Sequence, residues 1–218
     1  MMSLPFDQAQ LLRAEIAAAA ARLIAQDGAD YGSAKRKAAR QILGEAQAQS
    51  AQAAILPDNA QIEDEVRLYQ ALFHADTQPA RLFRLRTLAL QIMELLGQFN
   101  PYLTGAVLNG TAGAHDDIYL QLFADSSKEV EIFLLNKNLN IDISESPHFK
   151  GPRYEPVETV SFMWQQEGVH AALYEPDDLR GAVKARDGKA GAKLQRADAA
   201  AVRSLLMSST HTDPSVEE

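Results

Sequence analysis

The stretch from Val107 to Phe123 constrains the fold of this chain more than any other segment. Apolar residues occupy both of its ends, and the small residues Gly110-Thr111-Ala112-Gly113 separate them. Short apolar runs of this kind are typical of β-strands, and a glycine-containing step between two runs lets the backbone turn tightly. The pattern predicts a strand at 104–108, a tight turn, and a second strand at 118–123.

Residues with possible chemistry cluster at this turn. Backbone N–H groups in a small-residue turn can bind a phosphate, so Gly110 and Thr111 are candidate ligand-binding residues. Asp117, just before the second strand, could hold a metal ion, and Tyr119 points to the same face two residues later. The structural alternatives stay open, because the turn can be a plain connection and Tyr119 an ordinary half-buried strand residue.

His115 and Asp116 lie between the turn and the second strand. They fit an exposed polar turn, and together with Asp117 they could instead bind a transition metal. Asp116 points away from Asp117 if the strand has already begun there. A turn at this position would bring its carboxylate to the same side.

Composition limits the classes of protein to consider. The chain has 218 residues, 46% of them hydrophobic, a formal net charge of −8 and no cysteine. No apolar run approaches the ~20 residues of a membrane span, and the negative charge argues against nucleic acid as a partner. The lack of cysteine excludes disulfides and thiolate chemistry and is compatible with a reducing cytoplasm. We therefore expect a cytoplasmic protein that does not enter the membrane.

The first hundred residues have the apolar periodicity of helices. Four amphipathic segments are expected. The first ends at Asp27-Gly28 and the second at Gly44, the third begins at an Asp58/Gln61 capping box, and the fourth begins at Pro79. The third and fourth segments each carry an apolar stripe. The stripe of the third consists of Ile62, Val66, Tyr69 and Phe73, and that of the fourth consists of Leu82, Leu85, Leu88, Ala89, Ile92, Leu95 and Leu96. We expect the fourth stripe to pack against Tyr69, Phe73 or Leu12, which defines an α-helical region at 1–100 that could dock on a protein partner.

The rest of the chain mixes strand and helix patterns. A helix is expected at 128–138, and strands at 139–143, 157–165 and 169–174, the last two joined by a hairpin turn at Glu167-Gly168. The predicted fold class is therefore α+β, with a helical region followed by a mixed sheet with flanking helices. Val107, Ile118, Leu120 and Leu122 should lie in that sheet. A polar tail at 208–218 is expected to be disordered.

A basic cluster lies on the second predicted helix. Lys35, Arg36, Lys37 and Arg40 project mostly away from its apolar side. A solvated helix face explains them, and a contact with phosphate or RNA is the alternative. The sequence does not decide between the two roles.

The strand–turn–strand layout resembles the opening of the nucleotidyltransferase fold. In that fold a strand ends in Gly-Ser or Gly-Thr, and the next strand carries Asp-apolar-Asp. Gly110-Thr111 and Asp117-Ile118-Tyr119 match this pattern in part. The order of helices followed by strand, turn, strand, helix and further strands is similar too. The resemblance implies a nucleotidyltransferase-like domain at 101–207.

The same resemblance implies roles for the candidate residues. In active members the Gly-Ser or Gly-Thr pair holds the triphosphate, and three carboxylates coordinate a divalent metal, usually Mg²⁺. Gly110 and Thr111 match the pair that holds the triphosphate. Asp117 matches one of the three carboxylates, which makes it the candidate metal ligand. Tyr119 and His170 stand at the other two positions, and in an enzyme Asp117 and His170 would be the catalytic pair. Because a phenol and an imidazole are poor Mg²⁺ ligands, we expect a mostly degenerate metal site.

Three longer motifs resemble a family of uncharacterised proteobacterial proteins. They are Asp30-Tyr31 followed by 34–40, Asn109–Gly113 before Leu120–Asp125, and Tyr174–Arg180. That resemblance implies no particular activity. Three functional hypotheses follow: a nucleotidyltransferase-like protein that binds a nucleotide, another phosphate-containing ligand or a protein partner; an active metal-dependent nucleotidyltransferase of unusual site architecture; and a purely structural interaction module.

Overall fold

A computed structural model describes residues 6–49, 55–182 and 196–210. The chain divides into two compact units. The first comprises Met1–Arg81 with Gly113–Asp116, and the second comprises Leu82–Ala112 with Asp117–Glu218. None of the described helices is both long and apolar enough to cross a membrane.

The first unit is built from helices. They are α1 (Phe6–Asp27), α2 (Tyr31–Leu43), α3 (Glu45–Gln49) and α4 (Asn59–Phe73), followed by the start of α5 (Gln78–Leu95). The predicted ends are confirmed, since α1 stops at Asp27, Gly44 terminates α2, and Asp58 with Gln61 forms the capping box of α4. Apolar residues of α1, α2 and α4 form the core of this unit.

One apolar stripe of the helical unit is only half buried. Ile62 and Val66 of α4 are fully buried, as predicted, but Phe73 at the end of the helix is 64% exposed. The prediction that Phe73 belongs to the buried face is wrong. The core formed with α1 and α2 holds the first two turns of α4 but not its last.

The second unit contains a five-stranded sheet and its helices. Its elements after α5 are a 3-10 turn (Gly97–Phe99), β1 (Tyr102–Thr104), α6 (Gly105–Asn109), β2 (Ile118–Phe123), α7 (Ser127–Asn136), β3 (Ile141–Ser146), β4 (Val157–Trp164), β5 (Glu167–Tyr174), α8 (Pro176–Ala182) and α9 (Ala199–Thr210). The strand order is β1-β2-β5-β4-β3. Strands β2 and β5 are parallel, and the other neighbours are antiparallel. The α+β class with a helical N-terminal region and a mixed sheet is confirmed.

One face of the sheet carries the core of this unit. Ile118, Leu120 and Leu122 of β2 alternate with outward residues and are buried with Val130 and Leu134 of α7. The predicted helix thus contributes to the same core as the predicted strand.

The fourth apolar stripe packs into the sheet core. Leu85, Ile92 and Leu96 belong to the cluster formed with the strands. The predicted partners Tyr69, Phe73 and Leu12 belong to the other unit, so packing against them stays a prediction. Periodicity shows that a helix face is buried, but it does not show against which elements.

The segment 104–108, predicted to be a strand, is a strand only at Thr104 and a helical turn from Gly105 onward. Strand β1 ends at Thr104, and Gly105, with φ +70°, turns the chain into α6, which Gly110 ends with φ +85°. Val107 therefore lies in α6, buried in the core, and the prediction that it lies in the sheet is wrong. A short apolar run such as Ala106–Leu108 fits either a strand or a single helical turn, and the flanking Gly105 and Gly110 favour the helical turn here.

The hairpin between β4 and β5 turns earlier than predicted. Gln165 and Gln166 have φ +47° and +70°, whereas Glu167 and Gly168 already pair with Trp164 and Met163. Two consecutive positive φ angles match the turn that suits a two-residue hairpin loop. At the C-terminal end, α9 continues through Thr210, and residues 211–218 of the predicted tail lie outside the described part of the chain.

Candidate functional site

Five side chains form one row across the sheet, on the face opposite the core. They are paired in register from strand to strand in the order Thr104, Tyr119, His170, Ser161 and Asp142. Residues before and after them, such as Leu120, Ala171 and Val160, are buried on the other face. We call these five residues the polar row.

Asp117 and Ser161 hold His170 from both sides of its ring. The Nε2 atom lies 3.1 Å from Oδ2 of Asp117, and the Nδ1 atom lies 2.8 Å from Oγ of Ser161. Because an ionised carboxylate only accepts hydrogen bonds, a neutral His170 must carry its proton on Nε2. Nδ1 is then an acceptor, and the Ser161 hydroxyl donates to it.

Tyr119 completes the group on the other side of His170. Its ring stacks on the imidazole with a centroid distance of 4.9 Å and an angle of 25° between the planes. The tyrosine is 48% exposed, while the side chains of Asp117 and His170 are 41% and 30% exposed. The structure therefore brings three of the sequence candidates together on an accessible surface.

Gly168 makes room for the Asp117 carboxylate. A Cβ atom at this position would lie 2.6 Å from Cγ of Asp117. The carboxylate can hydrogen-bond to His170 only because the neighbouring strand carries no side chain there.

Gly168→Ala should therefore displace the Asp117 carboxylate and break its hydrogen bond to His170. We expect a stability loss of about 1 kcal/mol, because the group is partly exposed, and a clear change in the NMR signals of the His170 ring. Gly97→Ala is the matched control, since nothing lies within 4 Å of its Cβ position. Unchanged His170 signals in Gly168→Ala would contradict the close fit.

Gly110 and Thr111 do not offer donors to a ligand. The N–H groups of Gly110, Thr111 and Ala112 all point to the carbonyl oxygen of Ala106, at 3.0, 3.0 and 3.1 Å. Thr111 is buried, and its hydroxyl donates to Asn109 Oδ1. These residues close the C-terminal end of α6, so the turn is a helix stop and its N–H groups are already used.

Arg86 stabilises the C-terminal end of α6. This buried residue of α5 donates through Nε to the carbonyl oxygen of Val107 and through Nη2 to that of Leu108, at 3.0 and 3.1 Å. Burial lowers the pKa of the Arg86 guanidinium from its ordinary value. A guanidinium thus satisfies two carbonyl groups that the short helix leaves unpaired.

His115 and Asp116 belong to the loop of the helical unit. The Asp116 carboxylate accepts a hydrogen bond from the N–H of Gly113 at 2.8 Å and closes a tight turn. His115 lies against Gly28, whose Cβ position would be 2.8 Å from that of His115. Both residues therefore have structural contacts that fit the polar-turn interpretation.

The residues present fit Mg²⁺ poorly. Among the described residues, no group of three His, Asp or Glu side chains is arranged to hold a metal ion. Asp117 supplies one carboxylate beside Tyr119 and His170, and one of its oxygens already accepts from the imidazole. Mg²⁺ requires several hard oxygen ligands, which this arrangement does not supply.

The basic cluster of α2 is engaged locally. Lys35 donates to Asn59 and Arg36 to Ser33, while Lys37 and Arg40 pair with Asp27 and Glu45 at 3.8 and 3.5 Å. Exposed pairs of this kind contribute little stability. They support the interpretation of a solvated helix face.

A second ionic cluster lies where the loop after β3 meets α8. Lys150 and His148 both hydrogen-bond to the carboxylate of Asp178. Burial opposes ionisation of Asp178, but these hydrogen bonds and the nearby charges hold the pKa of its carboxyl below the ordinary value. The contacts fix the loop to the helix and serve the fold.

Comparison of the chain with protein-family models, with curated proteins and with solved structures finds no match. The site must therefore be judged from its own geometry. Sequence reasoning missed Ser161, Asp142 and Arg86. The alternation of polar and apolar residues along β4 was the signal for Ser161, but its pairing with His170 depends on a strand register that the sequence does not give.

Proposed function

We propose that this chain is a nucleotidyltransferase-like protein that binds a nucleotide, or another phosphate-containing ligand, without metal-dependent transfer. The observation that carries the proposal is the meeting of Asp117, Tyr119 and His170 on the accessible sheet face. These are the three positions that the family resemblance assigns to metal ligands. Only one of them is a carboxylate here.

The order of elements supports the resemblance to the nucleotidyltransferase fold, but it matches the glycine of that fold to a different residue of this chain. Strand β1 ends at Thr104 and is followed directly by Gly105, and the next strand begins after Asp117. The glycine that follows the first strand of the fold therefore corresponds to Gly105 and not to Gly110. Ala106 stands where the family has Ser or Thr, which is a further departure from an active centre.

Tyr119 offers the means of binding without a metal. One face of its ring is stacked on His170, and nearly half of the residue is exposed. Aromatic side chains on an open sheet bind nucleobases by stacking, with about 1–3 kcal/mol lost per base when the aromatic group is removed. A base on Tyr119 would use this surface with no need for the missing carboxylates.

Thermal shift with nucleoside triphosphates tests the proposal. We expect ATP to raise the melting temperature equally with and without Mg²⁺ or Mn²⁺, because ligand binding to the native state stabilises it. Tyr119→Ala should weaken binding roughly tenfold, in keeping with loss of one stacked base. Tyr154→Ala is the matched control, since Tyr154 is similarly exposed at 51% but lies outside the polar row.

The alternatives predict different outcomes of the same experiment. Stabilisation only with Mg²⁺ or Mn²⁺, with nucleotide transfer that Asp117→Asn abolishes, would overturn the proposal in favour of an active nucleotidyltransferase. Absence of any nucleotide effect would favour an interaction module.

One observation favours the interaction module as a second candidate. Leu68, Leu72 and Phe73 of α4 are 54%, 67% and 64% exposed. Leu68 and Leu72 are one helical turn apart and lie on the same side of the helix. An exposed apolar stripe on a helix is a surface that a protein partner can cover.

A further inference from the structure

The hydrogen bonds around His170 have the direction that activates a serine. In the neutral His170 that carries its proton on Nε2, the Ser161 hydroxyl donates to Nδ1 at 2.8 Å, and Nε2–H donates to Asp117 at 3.1 Å. A nucleophile bonded to a base, with the base oriented by a carboxylate, is the arrangement in which a serine hydroxyl loses its proton on attack. The ring nitrogens are exchanged relative to the usual serine triad, and the proton path is equivalent.

We propose that Ser161 is a nucleophile that takes up an acyl group from activated esters, with His170 as its general base and Asp117 as the group that orients His170. This activity uses His170 and Asp117 of the same surface but does not require a bound nucleotide. Ser161 and His170 are paired in register on the neighbouring strands β4 and β5, and Asp117 directly precedes β2, whose first residue Ile118 pairs with Val169 of β5. The register of the sheet therefore sets the geometry.

The chemical step balances without any further reactant. Ser161 Oγ bonds to the ester carbonyl carbon while its proton moves to Nδ1 of His170, and the Asp117 carboxylate stabilises the resulting imidazolium. The bond from that carbon to the alcohol oxygen then breaks, and the imidazolium gives its proton to the leaving alcohol. Ser161 retains the acyl group, which water can later remove by the reverse proton path.

Two features of the surroundings limit the rate and the substrate. Ser161 lies in a strand paired on both sides, which provides no turn of open N–H groups for an oxyanion, so we expect acylation without fast turnover. The carboxylate-bearing Asp142 stands beside Ser161 in register on β3. Its carboxylate lies next to the strand position of the attacking hydroxyl, which favours neutral or cationic acyl groups over anionic ones at Ser161.

Acylation of the full-length chain by p-nitrophenyl acetate, followed by mass spectrometry of its peptides, tests the proposal. No nucleotide or metal is added, so the result does not depend on the nucleotide proposal. We expect an acetyl group on Ser161, formed roughly a hundredfold more slowly in His170→Gln because the general base is lost. Asp117→Asn should also slow the reaction, and Ser144→Ala, which changes an exposed serine of β3, should not.

Two further results decide the outcome. Acetylation confined to other residues, or acetylation of Ser161 at the same rate in His170→Gln, would overturn the proposal. Circular dichroism of each variant establishes that the sheet is intact, and Asp117→Asn provides a second comparison if His170→Gln does not fold. An anionic ester that reacts as fast as a cationic one of equal leaving group would contradict the role given to Asp142.

Discussion

Ile92→Ala should lower the free energy of unfolding by about 2–5 kcal/mol. Ile92 of α5 has no exposed surface and lies in the core that α5 and α7 form with the sheet. Removing its outer carbons loses their transfer free energy and leaves a cavity that the surrounding strands can only partly close. Urea denaturation at 25 °C measures the change.

Leu135→Ala is the matched control for this variant. Leu135 belongs to α7 of the same unit but is 53% exposed, so its truncation should change the stability by no more than about 0.5 kcal/mol. If Ile92→Ala were as mild as Leu135→Ala, the helix would not be packed as the structure shows. Equal slopes with denaturant in both variants would establish that the unfolded states are comparable.

The helical half could be predicted well because its signals are local. The Asp58/Gln61 capping box depends only on residues three positions apart, and the structure has both of its hydrogen bonds. Gly44 likewise ends α2 through a local feature, a positive φ that glycine adopts without strain. Such features need no knowledge of distant parts of the chain.

The segment around Val107 shows where local reasoning stops. The short apolar run Ala106–Leu108 between Gly105 and Gly110 satisfies the pattern of a strand and of one helical turn equally. The choice is made by Gly105, which takes a positive φ, and by Arg86, which is 21 residues away and donates to the helix end. No pattern within the segment contains that contact.

The sequence could predict the site only as far as it could predict which strands are neighbours in the sheet. Asp117 and Tyr119 share a face because they are two residues apart, but His170 joins them only because β2 and β5 are adjacent and parallel. Ser161 requires one more step, the antiparallel register of β4 on β5. A shift of one residue in that register would turn Ser161 into the core. The role of Ser161 could therefore be inferred only once the strand register was known.

Arg86→Met should cost about 2–4 kcal/mol, although it replaces a buried charged group with an apolar one of similar length. Exchanging both partners of a buried polar contact for apolar groups can be neutral, but here the carbonyl groups of Val107 and Leu108 remain. Each loses a donor at 3.0 or 3.1 Å in a buried position. The end of α6 should loosen, and hydrogen exchange at the amides of Gly110, Thr111 and Ala112 should accelerate, since those amides bind the Ala106 carbonyl of the same turn.

Arg84→Met separates this effect from a general loss of positive charge on α5. The Arg84 side chain is 55% exposed and pairs at 3.2 Å with Glu167, whose side chain is only 10% exposed. We therefore expect Arg84→Met to cost about 1–2 kcal/mol but to leave hydrogen exchange at 110–112 unchanged, unlike Arg86→Met. Arg86→Lys keeps the charge but cannot reach two carbonyl groups with one planar fork, so we expect a loss between those of the other two variants. If Arg86→Met and Arg84→Met were equally mild and left exchange at 110–112 unchanged, Arg86 would not hold the end of α6, and the turn before Asp117 would owe its shape to the glycines alone.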